Sequence, residues 1–203
     1  MGRAMTFPFF RDLARESLFA PRSAAGRILG MGLSAQWLWT ALVLMAVLNA
    51  IVTLALFQVA PPGDPEMMAL FGPALRSPLL VAGAIVLSLV MTIFALTWAG
   101  RAMGGTGQTA DILAIVTWFQ ALQLVARLAI VLLVFAIPLV GALLSLVATV
   151  WGLVIFVAFL DRAHGFANIF KTVGVLVVAV IAILIGLSLI AETIGAVLVP
   201  GGA

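Results

Sequence analysis

The 203-residue sequence has no cysteine, no tyrosine and a single histidine, and only 8% of it is Asp, Glu, Lys or Arg. Each shortage excludes something. Without cysteine there is no disulfide, no thiolate nucleophile and no cysteine metal site. One histidine rules out a multi-histidine metal centre. Soluble globular domains carry roughly 25% charged residues, so this chain has too little charge to cover a water-facing exterior. The net charge of +3 does not point to nucleic acid. Arg3, Arg11, Arg15, Arg22 and Arg27 crowd the start of the chain, and the other basic residues are too sparse to track a phosphate backbone.

What the chain has in quantity is apolar surface, with 65% of residues hydrophobic. A lipid-facing exterior accommodates that, provided every backbone polar group is satisfied by a helix or a closed barrel. Barrel strands would alternate apolar and polar over about 10 residues. Here the apolar runs are unbroken over about 20 residues or more, which is the helical pattern. The reading is an all-α polytopic membrane protein, a bundle of five transmembrane helices.

The spans fall at about Ala35–Phe57, Pro78–Trp98, Asp111–Phe135, Leu139–Leu160 and Thr172–Glu192. Pro138, in the sequence FAIPLVG, divides the third from the fourth. That connection is short and uncharged, so residues 111–160 read either as two full spans or as a re-entrant hairpin. The organisation is a lead over 1–34, a five-span region over 35–198 and a short outer tail over 199–203. The first long apolar run starts near Ser34, too deep and too long for a signal peptide, and is expected to be a retained span. In the lead, Phe10, Leu13, Ala14 and Leu18 recur at helical spacing while Arg11, Asp12, Arg15 and Glu16 take the opposite face. This predicts an amphipathic helix on the membrane surface, stopped at Pro21. The loop Gln58–Ser77 contains Pro61, Pro62, Pro65 and Pro73 and predicts a turn, with Met67, Met68, Leu70 and Phe71 against the membrane.

Orientation follows the distribution of Lys and Arg. With the N-terminus inside, the inner side holds Arg3, Arg11, Arg15, Arg22, Arg27, Arg101, Arg162 and Lys171, and the outer side holds Arg76. The C-terminus is then outside. Scarce cysteine with abundant Ala, Gly and Arg fits a bacterial inner membrane, with a cytoplasmic N-terminus and a periplasmic C-terminus.

Two polar groupings stand out. Arg127 lies inside the third span, roughly 24 Å from its inner end at 1.5 Å per residue. An arginine there costs several kcal/mol unless it snorkels or is paired. Gln120, Gln123 and Arg127 share one stripe, Asn49 has a similar depth on the first span, and Glu192 on the fifth is the candidate counter-ion. These five form either a ligand or proton site or a set of groups that hold the helices together. The second reading is preferred, because a proton relay needs more than one acid.

The second grouping is on the inner face: Asp111, Asp161, Arg162 and His164. Asp161 is expected to pair with Arg162 or Lys171 or to cap the next segment. Thr109 or Asp111 is expected to cap the third span. The grouping reads as partner or headgroup docking, or more simply as interfacial anchoring. The stretch Gly104-Gly-Thr-Gly107 lacks the lysine and flanking strand of a P-loop, so it reads as a tight turn.

Taken in order, certain stretches resemble the Yip1 family of five-span membrane proteins, specifically its short bacterial members. They are the Arg-rich lead RDLARESLFAPRSAAGRIL, the inner loop and third span GGTGQTADILAIVTWFQ, the turn FAIPLVG, and WGLVIFVAFLDRAHGF at the end of span four. The likeness covers roughly residues 9–195. It implies a fold of five membrane-spanning helices. Eukaryotic members act in membrane trafficking and bind prenylated small GTPases through a longer N-terminal region. That region has no match here, nor does the family's Asp-Leu-Tyr-Gly-Pro element.

The function expected is therefore a non-enzymatic membrane protein that organises membrane or scaffolds the assembly of membrane partners. The alternative is a transporter or channel component using the zone around Arg127. No nucleophile–base pair, metal set or cofactor motif supports an enzyme, and no cofactor is expected. The expected partners are membrane lipids and a membrane protein or a second copy of the chain, with no nucleic acid.

Overall fold

The computed structural model describes residues 6–59 and 77–198, with backbone alone for 58–59 and 190–198. Most of the expected loop between the first two spans, including Met67, Met68, Leu70 and Phe71, lies outside the described residues. The described residues are helical with no strand. The helices are α1 (Phe7–Phe19), α2 (Pro21–Leu29), α3 (Ala35–Val59), α4 (Pro78–Ala102), α5 (Thr109–Ala136), α6 (Pro138–His164) and α7 (Ile169–Leu198). Each of α3 to α7 contains a stretch long and apolar enough to cross a membrane, since about 20 residues suffice.

The boundaries have local causes. Pro21, Pro78 and Pro138 each open a helix, where the fixed φ of proline suits the first turn and its missing N–H costs nothing. Pro138 also splits residues 111–160 into two helices. The residue before it, Ile137, leaves the helical region at φ −143° and ψ 87°, since a pre-proline position disfavours that region. Ser77 caps α4 by accepting from the Leu80 N–H at 3.4 Å. Gln108 and Asp111 form a reciprocal capping box at the start of α5. There the Asp111 carboxylate accepts from the Gln108 N–H at 2.8 Å, which satisfies one of the donors a helix start leaves free. Gly165 ends α6 in the left-handed region at φ 69°, the usual glycine stop.

The predicted amphipathic lead is present as two helices; of its apolar stripe Leu13 is buried against protein, while Phe10 and Leu18 stay exposed. α1 and α2 form an antiparallel pair joined by Glu16 to Ser23 and Arg27. Leu13, Ala24, Ala25 and Ile28 are buried, while Phe7 and Phe19 remain exposed. The pair packs on α5 and α6.

Among the spans, neighbours run α6, α5, α3, α4, α7, with further contact between α4 and α5 and between α6 and α7. The core gathers at the end where α1 and α2 sit, called here the hairpin end. Ile112 to Thr117 are all buried in succession, and Phe159, Leu160, Asp161, Ala163 and His164 are buried around the exposed Arg162. A helix buried on every side is enclosed by protein. Toward the far end, α6 presents Leu139, Leu143, Leu146, Val150 and Leu153 outward, an arrangement that lipid rather than water accommodates.

Candidate functional site at the hairpin end

Asp161, near the end of α6, is 4% exposed and works as a junction. One carboxylate oxygen accepts from the Asn168 N–H and the Thr172 hydroxyl, both at 3.0 Å. The other meets the Arg22 guanidinium of α2 at 2.9 Å. A single side chain thus ties α2, α6 and the start of α7. Asn168 adds its own cap, accepting from Phe170 and Lys171 N–H groups at 3.0 and 3.3 Å. The sequence pointed to pairing of Asp161 with Arg162 or Lys171, or to capping of the next segment; its bonds to Asn168 and Thr172 at the start of α7 agree with the capping. The guanidinium of Arg162 instead lies beside Gly26 of α2, where a Cβ would stand 3.2 Å from its Nε.

Three residues on, His164 is 1% exposed and enclosed by the glycine loop. Added Cβ atoms would reach its ring at Gly105 (2.8 Å) and Gly107 (2.6 Å), and one at Gly100 would overlap it. Phe166 stacks on the other side, with centroids 5.3 Å apart. The loop is held down by the Thr106 N–H donating to the His164 carbonyl at 3.1 Å and by Arg101 Nε donating to the Gly107 carbonyl at 3.2 Å. The Leu96 carbonyl acts on the ring, yet neither ring nitrogen has a hydrogen-bond partner of good geometry among the described residues. The glycines therefore serve close approach to an imidazole. That is the use of a residue without Cβ, and no phosphate cradle is involved.

Two indoles fasten the N-terminal pair. Trp118 of α5 donates to Ser17 Oγ at 2.9 Å and stacks on Phe10. Trp151 of α6 donates to the Leu18 carbonyl at 3.1 Å. Arg27 lies over the Phe9 ring at 4.6 Å while it pairs with Glu16 at 3.1 Å.

The other grouping is looser. Arg127 donates to Thr53 Oγ1 of α3 at 3.0 Å. Asn49, one helical turn before Thr53, is buried and donates to its own helix at the Met45 carbonyl, 2.9 Å away. Gln120 is half-buried and Gln123 exposed, and the side chain of Glu192 lies outside the described residues. The structure thus joins Arg127 to α3 through a threonine that the sequence reading passed over. The available signal was the i, i+4 relation of Asn49 and Thr53.

The order of these elements is that of a known family: its description, Yip1 domain, matches residues 15–190. The chain belongs to the Yip1 family. The match begins within α1 and runs into α7, so it includes the last part of α1 and the whole of α2 as well as the five candidate spans. No curated protein matches the chain. No solved structure matches it. Within this Yip1 domain the residues missed at first are Ser17, Arg22, Trp118, Trp151 and Thr172. All but Thr172 bind a residue more than 100 positions away, and no local spacing announces such a pairing.

Proposed function

We propose that this Yip1-family protein is a non-enzymatic membrane protein that scaffolds the assembly of membrane partners, with the hairpin end as its docking face. One observation carries the reading. The hairpin end is built as a fixed platform, in which Asp161, Trp118 and Trp151 fasten α1 and α2 to three spans. Arg15, Arg101, Arg162 and Lys171 stay exposed on it. Rigid basic surfaces favour acidic partners and steer their approach. The same charges support a cytoplasmic hairpin end in a bacterial inner membrane. Arg11, Arg15, Arg22, Arg27, Arg101, Arg162 and Lys171 lie there, and Arg127 is the one described basic residue beyond it.

A photo-reactive residue placed at Arg162 or Lys171 in living cells should give a discrete protein adduct, and one at lipid-facing Leu132 should not. Lipid adducts alone at all three positions would end the scaffold reading. The transporter alternative has less to stand on, because the described contact of Arg127 joins two helices. A transporter would keep its fold and lose flux in Arg127→Leu.

A further inference from the structure

Arg127 places a charge in a part of α5 that has no other. From Leu128 through the turn at Pro138 to Leu144 no side chain is polar. Val125, Leu128, Leu132 and Phe135 are all exposed. Water does not cover such a surface, so this half of α5 lies in hydrocarbon.

The helix gives the depth of the charge. Arg127 is midway between Trp118, whose indole meets α1, and Ala136, where α5 ends. It stands roughly 14 Å from each. The two distances together come close to a core about 30 Å thick. An arginine stem can stretch toward a headgroup layer, but from mid-depth neither layer is within its reach.

The guanidinium is nevertheless short of partners. Arg127 is exposed and donates to Thr53 Oγ1 at 3.0 Å. That hydroxyl takes one of five N–H groups and cancels none of the charge. Among the described residues Arg127 has no ion pair, whereas Arg11, Arg22 and Arg27 each have one. Gln123, one turn nearer the hairpin end, is exposed as well. Ionisable groups at such depth are costly and pair with one another or face water, and the apolar neighbours of Arg127 do not hold water.

We infer that Arg127 docks a transmembrane helix of another protein, one that carries an Asp or Glu at mid-depth. The planar fork of arginine holds a carboxylate through two parallel hydrogen bonds. Gln123 offers the same helix an amide to bond. Other occupants fit less well. A free anion would have to leave water for the centre of the bilayer, whereas a carboxylate on a helix is carried there by the apolar turns on either side of it. A lipid phosphate stays at the surface. A second copy would bring Glu192, which follows the start of α7 by roughly 35 Å. Arg127 follows the start of α5 by about 27 Å, and both starts are at the hairpin end. In a copy of the same orientation the two charges would therefore miss each other in depth. The inference adds an intramembrane contact to the scaffold reading. It uses none of the hairpin-end residues, so either can fail alone.

The test reconstitutes the full-length protein in phosphatidylcholine vesicles at pH 8. The probe is a synthetic helix of leucine and alanine, flanked by lysines, with one central Glu. Energy transfer between a dye on the peptide and one on Ser77→Cys reads association. The Glu peptide should bind about tenfold more tightly than a matched peptide with Leu in its place. Arg127→Leu should lower it to the level of the Leu peptide. Thr53→Val should keep the preference, because the hydroxyl is not the counter-charge. A Glu moved two turns toward either end of the peptide should bind like Leu. Equal binding of the Glu and Leu peptides would overturn the proposal, as would a preference that persists in Arg127→Leu. If Arg127→Leu fails to fold, the displaced Glu decides, and undiminished binding of that peptide overturns the proposal. Self-association of the chain that is lost in Arg127→Leu and Glu192→Gln alike would make a second copy the occupant and overturn the assignment to another protein.

Discussion

A methyl group at Gly100 would overlap the His164 ring, and Gly105 and Gly107 leave scarcely more room. Overpacking of this kind costs typically about 1–3 kcal/mol, so Gly100→Ala should lower the melting temperature of the detergent-solubilised protein. The same change in a His164→Ala background should cost much less, because the ring that it strikes is gone. A double-mutant cycle by thermal melting would give the coupling, and additive losses would show that the glycine is kept for another reason. Asp161 makes a different prediction. Asp161→Leu removes the acceptor of Asn168, Thr172 and Arg22 together and should cost about 2–4 kcal/mol. Arg22→Ala removes only one of these contacts, and Arg22 is itself largely exposed, so its cost should be nearer 1 kcal/mol. Hydrogen exchange separates the two: amides over 166–172 should be deprotected in Asp161→Leu and remain protected in Arg22→Ala.

At the scale of the element, the N-terminal pair is where sequence and structure part most instructively. The apolar stripe of α1 was legible, since Leu13 and its neighbours recur at helical spacing, and Pro21 ended α1 as expected. Hidden from the sequence was that Leu13 of that stripe is buried while Phe10 and Leu18 stay exposed. An apolar residue looks the same whether it meets acyl chains or protein. α2 was missed because its inner face is Ala24 and Ala25, which serve close packing yet give a weak hydrophobic signal. Glu16 links the two helices and makes the docking pH-dependent. Its carboxyl is held below the ordinary 4.5, chiefly by the Ser23 hydroxyl. Partial burial pulls the other way, and Arg27 adds to the lowering. A carboxylate with a lowered folded value stabilises fully above its unfolded value, and that stability is lost as pH falls through the folded one. Hydrogen exchange of α1 and α2, corrected for intrinsic rate, should therefore show protection at pH 7 that declines below about pH 4.5. Glu16→Gln should be less protected at pH 7 and should lose the Glu16 contribution to that acid dependence.

For the whole molecule, the five spans were readable because lipid imposes a length and tolerates little charge, and the described residues contain five long apolar helices. The depth of each helix was less readable. Hydropathy counts the whole of α5 as span, whereas its start is enclosed by protein, and the indole of Trp118 meets α1. If the membrane surface passes near Trp118, the stretch from there to Ala136 is about 28 Å long, close to one hydrocarbon thickness. The arrangement fixes the connections: those between α4 and α5 and between α6 and α7 share the hairpin end, and the start of α4 lies at the other. The lack of native cysteine makes this directly measurable. In right-side-out membrane vesicles a membrane-impermeant maleimide should label Ser77→Cys and leave Arg15→Cys and Lys171→Cys unlabelled; inverted vesicles should give the opposite pattern. Labelling of Lys171→Cys and Ser77→Cys from the same side would contradict the five-span path. Complete reversal would keep the path and refute the cytoplasmic placement of the basic end. The two failures are distinct because the first tests helices and the second tests charge.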